Sequence, residues 1–215
     1  MILYIKIFNS LINIIYIYKN YNKIYSDFSK KMDIKKTNAI MRLKTELADL
    51  NKNPILNLGL TVELIDDNNI FEWQCSLEGP SDTVYANGKF YLRIFFPEDY
   101  PEKGPEVCFK TPIYHLNVNP RKCDNNSKPE RLGHVCLNFL DNWEPKYTMR
   151  KILTNIFNMF YYANSQSPYG LDRRDEYESN RESFDEKARY YTKIYADPKR
   201  TGDPDFGDKW DFSKY

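Results

Sequence analysis

The sequence predicts an α+β fold: a helix, a four-stranded antiparallel meander, an irregular segment and then further helices, all in one domain. Three observations carry this. Apolar residues recur at steps of three and four between residues 37 and 53, four short strand-like runs follow within residues 60–110, and the helical period returns after residue 148. At 215 residues, 41% of them hydrophobic, the chain is long enough for one sizeable core with extensions but not for two full domains.

The chain opens on 18 residues that are mostly Ile, Leu, Tyr and Phe, interrupted by Lys6, Asn9 and Asn13, and a basic stretch over 19–31 follows with Asp27 opposing it. The apolar run over 7–18 is shorter than the roughly 20 residues a membrane span needs and fits the roughly 7–15 of a secretory signal. Residues 1–35 are therefore expected to be a targeting leader, a signal followed by a basic, transit-like segment of the kind that leads through the secretory route to plastids bounded by several membranes. The alternative is an N-terminal helix with one apolar face on a protein of the cytoplasm or nucleus. Thr37 is the expected N-cap of a helix that places Ile40, Leu43, Leu47 and Leu50 on one face and stops at Asn53-Pro54.

Strands are expected over 60–65, 71–77, 89–95 and 106–110, separated by Asp66-Asp67-Asn68-Asn69, by Gly79-Pro80 with Asn87-Gly88, and by the proline-bounded stretch 97–105. Connections this short favour an antiparallel meander. A second helix should begin near Thr148, where Ile152, Leu153, Ile156, Phe157 and Phe160 form a stripe, and Ser183 with Glu186 forms a capping box that opens a last helix. Residues 197–215, rich in Gly, Pro and Asp, are expected to form a flexible tail.

Charge and cysteine usage exclude several function classes. Thirty-one basic against 30 acidic residues leave a net charge of +1, without the positive field that nucleic-acid binding uses. The cysteines at 75, 108, 123 and 136 have neither the paired spacing of a zinc module nor the density of a disulfide scaffold, so each thiol is considered singly. Cys75 and Cys108 lie inside strand patterns, where burial makes a thiol inert.

Several local motifs occur in a consistent order. Trp73 precedes Gly79-Pro80; Phe96-Pro97 precedes Tyr100-Pro101 and Pro105; Tyr114-His115-Leu116-Asn117 follows; then come Val135-Cys136-Leu137-Asn138 and Trp143-Glu144-Pro145. Over residues 36–196 this series resembles the ubiquitin-conjugating enzyme (E2) family, whose fold is the UBC fold. The resemblance implies that Cys136 accepts ubiquitin from an activating enzyme (E1) as a thioester and passes it to a lysine or to a ligase. The segment around Cys136 is also similar to that of enzymes conjugating the ubiquitin-like modifier NEDD8, which keeps that cargo, or another ubiquitin-like modifier, as an alternative. A noncatalytic E2-like scaffold is a second one. No cofactor is implied, and membrane contact only through the leader.

By the same resemblance, Asn117 is a candidate oxyanion donor or a loop tie, His115 belongs to the active-site wall in a structural role, and Asn138 and Ser167 stand where many members carry acids. Without those acids, an incoming lysine, with a reference pKa of about 10.4, has to lose its proton by other means. Ser167 precedes Pro168, and phosphorylation there could supply charge. Leu116 replaces the family's proline, and the 21 residues from His115 to Cys136 exceed the family's usual spacing, leaving an insertion at about 120–131 that holds Cys123. Cys123, Cys136, His115 and His134 offer zinc-type donors, but at spacings unlike a known finger, so no metal site is expected; a Cys123 to Cys136 disulfide is the other reading of the extra thiol. The family's shared surface for E1 and RING-type E3 ligases maps onto Arg42, Glu102 and Pro145.

Overall fold

The computed structural model describes residues 2–55, 59–120, 132–136, 140, 142–199, 210 and 212, and in the first helix the side chains of 17–26 and 29–52. Helix α1 spans Ile2–Lys52 and ends where Asn53-Pro54 was expected to stop it. Thr37 is not its N-cap. The helix runs straight through this residue, whose hydroxyl donates to the carbonyl of Asp33 one turn back (2.8 Å), as threonine does inside a helix.

The meander is β1 (Thr61–Leu64), β2 (Glu72–Glu78), β3 (Lys89–Phe95) and β4 (Glu106–Phe109), all antiparallel and in sequential order. Its register sets Val62 beside Cys75, Cys75 beside Leu92 and Leu92 beside Phe109, so alternate residues of every strand share one apolar face. That face is covered by Ala39, Leu43 and Leu50 of α1 and by Ile152, Leu153 and Ile156 of α2 (Met149–Met159), all buried. α2 begins next to Thr148 as expected, and Thr148 is its N-cap, accepting from the Lys151 amide at 3.3 Å.

Two helices close the domain, α3 (Leu171–Ser179) and α4 (Arg181–Tyr195). α3 was not anticipated. The cap of α4 is Asn180, whose side chain accepts from the Ser183 amide at 3.2 Å. The proposed capping serine lies inside the helix, and its hydroxyl donates instead to Glu176 (2.7 Å). Between β4 and α2 the chain is irregular. Residues 111–119 are buried, and residues 134 and 135 form single bridges to Cys108 and Val118. In the segment expected to be a flexible tail, Trp210 is buried and Phe212 packs on Tyr191 with ring centroids 4.7 Å apart.

Candidate active site

Cys136 lies on an extended segment laid beside residues 117–119. Asn119 N–H donates to the His134 carbonyl (2.9 Å), and Cys136 N–H donates to the Asn117 carbonyl (3.0 Å). Val135 is buried in the core while His134 and Cys136 are half-buried, so these two side chains share the outer face of the segment. The Cys136 thiol lies 2.9 Å from the Ser167 hydroxyl. Cys75 and Cys108 are buried, and burial pushes the Cys75 thiol far above its ordinary pKa, leaving Cys136 the half-buried thiol among the described residues.

The opposite wall is the loop between α2 and α3, and Asn117 holds it in place. Its side-chain amide donates to the carbonyls of Asn164 and Ser167 (2.7 Å each), and its Oδ1 accepts from the Asn164 amide (2.7 Å). Both amide protons are therefore engaged in keeping Ser167 against the thiol. Acting as an oxyanion donor would require Asn117 to release one of these carbonyls, whereas tying the loop requires no rearrangement.

His115 lies behind this wall. Asn117 N–H donates to its Nδ1 (3.0 Å), which assigns the ring proton to Nε2, and Nε2 then donates to the Met159 carbonyl (3.0 Å). Burial lowers its pKa to about 4; the bond to Met159 opposes the shift and Arg173 adds to it. His115 is thus a neutral strut between the Asn117 turn and the end of α2. Arg173 of α3 lies over the Tyr114 ring, 4.2 Å from its centroid, and bonds the His115 carbonyl at 3.2 Å, fixing α3 to the same segment.

The structure also joins the residues placed on the partner surface. Arg42 donates to Glu46 and to the Tyr147 carbonyl (3.1 Å), linking α1 to the loop before α2. Trp143 Nε1 donates to the Pro101 carbonyl (2.6 Å), locking the loop of Pro145 to the loop of Glu102. Glu102 and Pro145 are exposed on these two loops. Arg42 is thus a structural tie as well as a surface residue. The buried hub beneath it, Glu46 with Tyr100, was missed from sequence, because a single glutamate on an amphipathic helix carries no signal of burial.

Asn138, Cys123 and, apart from Pro120, the insertion at about 120–131 lie outside the described residues. Among the described residues no group of three His, Cys, Asp or Glu side chains could hold a metal ion. His134 and Tyr169 form a contact that sequence reasoning did not find: His134 Nδ1 and the Tyr169 hydroxyl are 2.6 Å apart. The available signal was that 134 and 136, like 167 and 169, are two residues apart, so that a Cys136–Ser167 contact brings the other two into range.

A four-stranded meander between α1 and the C-terminal helices, with a half-buried cysteine on an irregular segment after β4, defines a UBC-type domain. The sequence model of the ubiquitin-conjugating enzyme family matches residues 42–192, and the chain belongs to that family.

Proposed function

We propose that the chain is an E2 that accepts ubiquitin from E1 as a thioester on Cys136 and transfers it to a lysine or to a ligase. The observation that carries this reading is the placement of the Cys136 thiol: half-buried, 2.9 Å from Ser167, on a wall held by the three Asn117 side-chain bonds. A thiol so placed can be reached by the C-terminal carbonyl of an incoming modifier while its surroundings stay fixed. On this reading E1 and a RING-type ligase dock across Arg42, Glu102 and Pro145, whose loops Trp143 and Arg42 bind together.

The test is to incubate the full chain with E1, ATP and either ubiquitin or NEDD8. A thiol-sensitive adduct should form and should be absent in Cys136→Ala. An adduct with NEDD8 alone would change the cargo and keep the chemistry. No adduct with either would leave the noncatalytic scaffold as the better account.

A further inference from the structure

We propose that His134, held by Tyr169, is the base that takes the proton from the incoming lysine during discharge of the Cys136 thioester. This rests on the reading of Cys136 as a modifier carrier. The wall opposite the thiol presents Ser167 and no carboxylate at that position, so the lysine ammonium, with a reference pKa of about 10.4, needs an acceptor. The extended segment supplies one. His134 and Cys136 project from the same face, separated by roughly 6–7 Å at two residues of extended chain.

The α2–α3 loop meets this face with two matched contacts, Ser167 on Cys136 at 2.9 Å and Tyr169 on His134 at 2.6 Å. Tyr169 is itself fixed, its amide donating to the Leu116 carbonyl at 2.8 Å, and its ring stands at 89° to the imidazole. Cys108 of β4 lies across the bridge from His134, its thiol directed to Glu106 at 3.8 Å. Among the described residues, Nε2 of His134 has no hydrogen-bond partner, and Nδ1 is the nitrogen engaged by Tyr169. In the tautomer whose Nδ1–H donates to the Tyr169 oxygen, Nε2 keeps a lone pair that can accept a proton.

The step balances as follows. The lysine ammonium gives one proton to His134 Nε2. The neutral amine attacks the thioester carbonyl carbon; the C–N bond forms, the tetrahedral intermediate collapses, and the C–S bond breaks. The Cys136 thiolate takes one of the two amine protons, the other staying on the new amide nitrogen, and the His134 imidazolium returns its own to solvent.

The experiment charges the full-length wild type and the variants His134→Gln, His134→Ala and Tyr169→Phe, removes E1 activity, and chases with free lysine or with hydroxylamine, an amine already neutral at pH 7. Glutamine keeps a hydrogen bond to Tyr169 but takes no proton. Both His134 variants should discharge to lysine at least about tenfold more slowly, toward the roughly 10²-fold low end of general base catalysis, while discharge to hydroxylamine stays near wild type. Added imidazole should restore lysine discharge in His134→Ala, and Tyr169→Phe should fall between the two. Lysine discharge that ignores His134 overturns the proposal. So does recovery by glutamine, equal loss with both amines, or loss of charging in His134→Gln, each of which marks a structural role. A wild type that takes up no modifier overturns the carrier reading as well, whereas a charged wild type indifferent to His134 overturns this proposal alone.

Discussion

At position 115 an imidazole is sealed in the core with both ring nitrogens bonded, and its burial holds the pKa near 4. In the unfolded chain the same ring titrates near the ordinary value of about 6.5. As pH falls from 7, the unfolded chain takes up the proton first and the folded chain resists until about pH 4. The stability tied to the neutral ring is therefore complete above about pH 6.5 and is lost across the window from 6.5 down to about 4, a change of about 3 kcal/mol. Denaturant unfolding of the wild type and of His115→Gln at pH 7 and pH 4 measures it: the variant should be the less stable at pH 7, and the gap should narrow by about that amount at pH 4. A constant gap would mean that the ring is not the titrating group. At this scale the site was partly legible. Cys136, Asn117 and His115 sit in local motifs, whereas the Cys136–Ser167 and His134–Tyr169 contacts join residues 31 and 35 positions apart and depend on how the loop after α2 folds back.

Between elements, the buried part of the joint that sets α1 against α2 rests on one carboxylate, while Asp49 and Arg150 pair at its exposed edge (2.8 Å). Glu46 accepts from Arg42, from the Tyr100 hydroxyl (2.8 Å) and from the Met149 amide (2.5 Å) in the first turn of α2. A carboxylate suits the N-terminus of a helix, where amides lack intrahelical partners and the helix dipole favours negative charge. Glu46→Ala leaves the Tyr100 hydroxyl and the Met149 amide buried without an acceptor, and strands an Arg42 that water partly reaches. The expected loss is about 2–3 kcal/mol by urea unfolding, with Glu46→Gln in between; a loss under about 1 kcal/mol would mean that the hub is not structural. The elements themselves follow from pattern to differing degrees. β3 was expected over 89–95 and is Lys89–Phe95, because its apolar alternation is bounded by a turn at one end and Pro97 at the other. α3 escaped because LDRRDEYES offers no apolar stripe; packing of Arg173 on Tyr114 replaces one. The start of α4 was misplaced because Asn180 and Ser183 are both competent caps, and Glu176 draws the Ser183 hydroxyl away.

Across the whole molecule, the two ends of the chain behave differently. Near the C-terminus, Phe212 joins Tyr114, Tyr191 and Tyr195 in an aromatic cluster behind the active-site segment, and Trp210 is close enough to Gly133 that an added Cβ there would come within 3.0 Å of its ring. Composition alone suggested a loose tail, because two aromatic anchors among Gly, Pro and Asp leave an average that reads as polar. At the other end, contacts between α1 and the domain are in place by Lys36, which bonds Glu98 at 2.5 Å, and Ala39, which is buried. Before them Ile17, Tyr18, Tyr21, Ile24 and Tyr25 are each 65–68% exposed, so this stretch contributes little to the core. No helix among the described residues is long and apolar enough to cross a membrane. An apolar run followed by a basic stretch, whose described large apolar side chains from Ile17 to Tyr25 stay exposed, is well suited to carry an address, which is why we propose residues 1–35 as a targeting leader toward a membrane-bounded compartment, with a plastid reached through the secretory route as the destination. Deleting them should leave the thermal midpoint within about 2 °C of the full chain, since exposed side chains away from special features shift stability by about 0.5 kcal/mol or less. Fused to a fluorescent reporter in the native cell, residues 1–35 should draw the reporter out of the cytosol. A reporter left diffuse, or a deletion that melts far below the full chain, would instead make the segment a structural arm of the folded enzyme.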